Sequence, residues 1–99
     1  MGLIYTTEER EYAAYDGRCE KRQKTLYIAT MNFVKYFMEL GDTQTTAESK
    51  VSQVSTESAS YLYAYVLGNK DPLIASINNS TLSFMDDEAK SKLIGDLSI

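Results

Sequence analysis

Residues 25–40 read TLYIATMNFVKYFMEL, and the reading of this stretch decides the fold. On a helix, Leu26, Phe33, Phe37 and Leu40 fall on one line, while Tyr27, Met31, Val34 and Met38 fall on a second line beside it. Only Ile28, Asn32, Lys35 and Glu39 mark a solvent side. The apolar arc is therefore roughly 200° wide, against the ~100° stripe of an ordinary surface helix. Asn32 and Lys35 interrupt the run, which falls short of the ~20 apolar residues a membrane span requires. Such a helix has one partner too few if it packs on a single neighbour.

Working outward, glycines and capping residues divide the chain. Thr6 with Glu9 has the capping-box spacing, and Glu8, Glu9 and Glu11 suit the positive end of a helix dipole. A helix is expected from about Thr7 to Leu40, stopped by Gly41, with a kink or break at Asp16–Gly17, where a mid-helix glycine costs about 1 kcal/mol. Thr45 and Glu48 repeat the box, predicting a second helix over Thr46–Leu67 that Gly68 ends. Ala47, Val51, Val54, Tyr61, Leu62 and Tyr65 share one face of it, with small Ser58 among them. Tyr61, Tyr63 and Tyr65 alternate as a strand would, but the caps and the three-and-four spacing favour helix. Asp71–Pro72 starts a short helix to about Asn78. Asn78 to Thr81 form a turn, and Asp86, Asp87 and Glu88 open a last helix through about Ile94, ended by Gly95. The expected fold is one small all-α domain over residues 1–99: two longer antiparallel helices and two short C-terminal helices.

Pairing the long helices sets Leu26, Ala29, Phe33, Phe37 and Leu40 against Val51, Val54, Tyr61 and Tyr65. Two occupants suit the second line. Leu73, Ile74, Ile77, Leu82, Phe84, Leu93, Ile94, Leu97 and Ile99 can fold back over it, as a central helix needs cover on both sides. Alternatively, part of it meets another chain. Met adapts to partner surfaces and Tyr joins a large apolar body to a polar tip, and there are eight Tyr and no Trp. Tyr27, Met31, Val34, Met38, Tyr61 and Tyr63 are the candidate interface residues.

Composition narrows the function. The net charge is −4, and the only basic cluster is Arg18, Lys21, Arg22 and Lys24, interleaved with Asp16 and Glu20. That balance argues against general affinity for nucleic acid or anionic lipid. There is no histidine, which removes the commonest general base and transition-metal ligand, and Cys19 is the single cysteine. A lone cysteine fits a reducing compartment. No basic region followed by an apolar run marks a secretory signal. The expected location is cytoplasmic, or within a virion assembled in the cytoplasm. Met1–Thr6 matches the loose myristoylation pattern, though Thr6 already has a capping role. The overlapping sequons Asn78–Asn79–Ser80 and Asn79–Ser80–Thr81 read as turn chemistry, and the acids at 86–88 as helix-start residues rather than a cation site.

No catalytic residue, cofactor or metal is expected. The first functional reading is a non-catalytic structural or adaptor subunit that packs against other protein subunits, homo- or hetero-oligomeric, in a larger assembly such as a phage or virus particle. The alternative is a small acidic helical regulator of a nucleic-acid-processing protein, using Glu8, Glu9, Glu11, Asp86, Asp87 and Glu88. A third is a DNA-binding module led by Arg18 and Arg22. The first depends on Tyr and Met and tolerates salt; the second releases at high salt.

Overall fold

A computed structural model describes residues 17–98, and among these the fold is all-α, with no strand. Helix α1 spans Gly17–Glu39 and α2 spans Gln44–Glu57; a 3-10 turn over Ala59–Tyr61 leads into α3, Leu62–Val66. Helices α4, Asp71–Asn78, and α5, Asp87–Leu97, complete it. The expected helical segment Thr7–Asp16, its capping box, the Met1–Thr6 pattern and Ile99 lie outside the described residues.

Gly41 and Gly68 terminate helices as expected, and for the same reason. Both have positive φ, 112° and 108°. At the first, the Gly41 N–H donates to the Met38 carbonyl at 3.0 Å and the Asp42 N–H to the Phe37 carbonyl at 3.1 Å. At the second, Gly68 donates to Tyr65 at 3.0 Å and Asn69 to Ala64 at 2.9 Å. A left-handed residue is what allows both bonds to form, satisfying carbonyls that the helix leaves open.

Elsewhere the boundaries differ from the sequence expectation. The cap of α2 is Thr43, not Thr45: its extended backbone (ψ 161°) lets the hydroxyl accept from the Thr46 N–H at 3.2 Å. Glu48 is instead bonded by the Gln44 amide at 3.3 Å. Asp71 is the first residue of α4 rather than its cap, with Pro72 in the first turn. Asp86 caps α5 by accepting from the Ala89 N–H at 2.9 Å. That helix continues through Gly95 to Leu97, because Leu97 is buried and its carbonyl receives the Tyr65 hydroxyl at 2.7 Å.

The expected single helix over Thr46–Leu67 is broken at Ser58. Ser55 and Thr56 donate their hydroxyls back to the carbonyls of Val51 and Ser52, competing with the backbone ladder, and the buried Ser58 hydroxyl pairs with that of Ser76 at 3.0 Å. The break re-aims the chain beyond it. Leu62, Tyr65 and Val66 turn inward, whereas Tyr61, expected in the core, is exposed.

The core is organised around Phe33, which is fully buried with Leu26, Ala29 and Phe37 on the inner arc of α1. Helices α2, α3 and α5 all pack on that arc. Val51 and Val54 come from α2, Leu73 and Ile77 from α4, and Leu93 and Leu97 from α5. Phe33 lies 4.7 Å from Phe37 and 6.0 Å from Tyr36 between ring centres, and Phe84 meets Phe37 edge-on at 5.6 Å. Leu40, expected to close this interface, is 65% exposed, because the Gly41 turn carries it past the end of the core.

Candidate protein interface

With three helices on its inner arc, α1 turns its opposite face outward. There Tyr27 is 50% exposed, Ile28 45%, Met31 47% and Met38 40%. Exposed Lys21, Lys24, Lys35 and Glu39 share the face. These side chains form a ridge along α1, apolar in its middle and charged toward both ends. Among the described residues, the C-terminal segment expected over the second line leaves Tyr27, Met31 and Met38 exposed. Leu73, Ile77, Leu93 and Leu97 are consumed by the inner core, and α5 reaches only the flank of α1, where Asp96 faces Thr25, Ile28 and Asn32 across a small hollow.

Val34 differs from its neighbours on that line. It is 9% exposed and forms part of the floor of a groove of about 260 Å³ between α1 and α2. Met31 and Met38 supply one wall, and Gln44 and Glu48 of α2 the other, with Asn32 and Lys35 completing the lining. The floor is apolar and the α2 rim is an amide bonded to a carboxylate, so the groove can take a side chain with an apolar body and a polar tip. Lys50 braces α2 outside the groove. Its ammonium is 2.6 Å from the Asp42 carboxylate and lies over the rings of Phe37 and Phe84, at 5.1 and 5.7 Å from their centres. The middle of α2 is thereby held to the α1–α2 turn through Asp42 and to the last turns of α1 through Phe37.

The six candidate residues thus separate. Tyr27, Met31, Val34 and Met38 are together on one side of α1, and the last three line its groove. Tyr61 lines a different hollow, of about 370 Å³, with Glu57, Pro72, Ala75, Ser76 and Asn79. Tyr63, half-buried on α3, lines neither. Gln44 and Glu48 were not legible as site residues, since only their four-residue spacing marks them. Ile28, assigned to the solvent side, is on the ridge itself.

Two other candidates have structural occupations. The Arg22 guanidinium donates to the Val66 carbonyl at 2.8 Å, closing the C-terminal end of α3, and also contacts the Cys19 sulfur at 3.6 Å. Arg22 is therefore committed to the fold rather than held out for phosphate. Cys19 is buried. Burial pushes the Tyr65 hydroxyl above its usual pKa of 10.0, with the Arg22 charge opposing. Tyr36 is also raised, first by burial and then by the carboxylates of Asp86 and Glu88.

No known protein family, curated protein or solved structure matches this chain. Among the described residues, no helix is long and apolar enough to cross a membrane, and no three acidic or cysteine side chains gather as a metal site.

Proposed function

We propose that this protein is a non-catalytic packing subunit whose outer α1 ridge and adjoining groove dock against other polypeptide within an assembly. The observation that carries the reading is the placement of Tyr27, Met31 and Met38, about half exposed on one face of a helix whose other face is fully used. Large apolar side chains gathered on an exposed face mark interaction sites, and Met with Tyr is the pairing that adapts to and anchors a partner.

Capture of partners on immobilised wild-type protein and on a Met31→Glu variant, compared by mass spectrometry, tests this. The expected result is a partner retained by the wild type in ~1 M salt, where charge pairing is screened, and lost from the variant. A partner that leaves the wild type at that salt and ignores the substitution would favour the acidic-regulator reading instead.

A further inference from the structure

Met31 and Met38 form one wall of the α1–α2 groove, and both are nearly half exposed. The other sulfur atoms of the described residues, in Met85 and Cys19, are buried in the core. We propose that the Met31–Met38 pair is a reversible oxidation site, at which a peroxide converts both thioethers to sulfoxides and thereby switches off docking at the groove. The inference rests on the packing-subunit reading and goes beyond it by naming how that surface is regulated.

Exposure selects the site. A thioether reacts through a lone pair on sulfur, so the oxidant must reach the sulfur itself. Met31 and Met38 offer that access, whereas Met85 is closed off by the core and Cys19 is a buried thiol. The lone pair attacks one oxygen of hydrogen peroxide; the S–O bond forms and the O–O bond breaks. Sulfur gives up two electrons, and the departing hydroxide takes the proton left on the transferred oxygen and leaves as water. The return step is that of a thiol-dependent methionine sulfoxide reductase. Two thiols supply two electrons and two protons, the oxygen leaves as water, and a disulfide forms.

The groove lining decides what the sulfoxides do. Each adds a polar oxygen beside the apolar floor at Val34. The two methionines are roughly 10 Å apart along α1, so the wall changes over its length. Lys35 follows Met31 by four residues and precedes Met38 by three, the spacings at which helix side chains meet. Lys35 and Asn32 are donors within the same lining and suit the new oxygens in the free protein. The rim opposite offers none, since the Gln44 amide already donates to Glu48 at 3.3 Å. An apolar anchor docking on the floor would displace the Lys35 and Asn32 bonds and bury the oxygens unpaired, which weakens binding. A docked partner covers the same sulfur atoms, so docking and oxidation oppose each other reciprocally.

Peptide-resolved mass spectrometry of the full chain in hydrogen peroxide should show Met31 and Met38 oxidising at least ~10-fold faster than Met85. Circular dichroism should report unchanged helix content, because both positions are exposed. The partner captured in ~1 M salt and lost on Met31→Glu should bind the sulfoxidised chain at least ~10-fold more weakly. Methionine sulfoxide reductase with dithiothreitol should restore that binding, and bound partner should slow oxidation at both positions. In a chain carrying Met31→Leu and Met38→Leu, peroxide should leave retention at that variant's own untreated level. Equal oxidation rates at Met31, Met38 and Met85 overturn the proposal, as does full retention of the partner by the sulfoxidised chain. If that partner is nevertheless lost on Met31→Glu, the switch falls and the packing reading stands; if no captured partner responds to Met31→Glu, both fall.

Discussion

Phe33 and Met31 are two residues apart on α1, yet the first is 0% exposed and the second 47%. Both are large and apolar, so hydrophobicity does not separate them; direction does. Among the described residues, helices α2, α3 and α5 converge on one arc of α1, while Tyr27, Met31 and Met38 on the opposite arc are exposed. An apolar residue on that outer arc contributes little to folding, and its cost is one of solubility unless a partner covers it. The difference between the two faces is thus between residues that hold the fold and residues available to an interface.

The comparison makes graded predictions for stability in urea unfolding. Phe33→Ala should cost the most, about 3–5 kcal/mol, since it empties the centre of a closed core. Tyr65→Phe should cost about 1–3 kcal/mol, because the Leu97 carbonyl at the end of α5 loses its buried donor. Asp86→Ala should cost about 1 kcal/mol, through loss of the α5 cap. Met31→Ala on the outer face should change stability by no more than ~0.5 kcal/mol. A Met31→Ala loss approaching that of Phe33→Ala would collapse the distinction between the faces.

Alkaline titration sharpens the same contrast. Tyr36 and Tyr65 both have pKa values raised above 10.0, so the folded state holds their protons more tightly than the unfolded chain does. That contribution is complete below pH 10 and is lost as the pH rises through the folded values. Stability should therefore decline above pH 10. In Tyr65→Phe the decline should be shallower, because only the Tyr36 part remains. A variant that keeps the full wild-type alkaline slope would assign it elsewhere.

How much of this was legible in the sequence differs from element to element. The stops at Gly41 and Gly68 come from glycine alone, since few other residues adopt positive φ without strain. The inner line Leu26, Ala29, Phe33 and Phe37 comes from spacing. Ser58 was legible only as a small residue on an apolar face; its turn depends on Ser76, eighteen positions away. Arg22 reads as part of a basic cluster until α3 folds back and offers it the Val66 carbonyl. The candidate site was half legible: Tyr27, Met31 and Met38 fall on one line by helical geometry, whereas Gln44 and Glu48 become neighbours of that line only when α2 packs beside α1.

Residue type and spacing by themselves determined that this chain is helical, where two of its helices stop, and that α1 has more apolar circumference than one neighbour can cover. Propensity, glycine geometry and periodicity are local, and act before any tertiary contact exists. Which part of that circumference stays exposed was decided only by tertiary structure. It depends on the direction from which α3 and α5 approach, which follows the turn at Ser58 and the Tyr65–Leu97 hydrogen bond, contacts that no local pattern encodes.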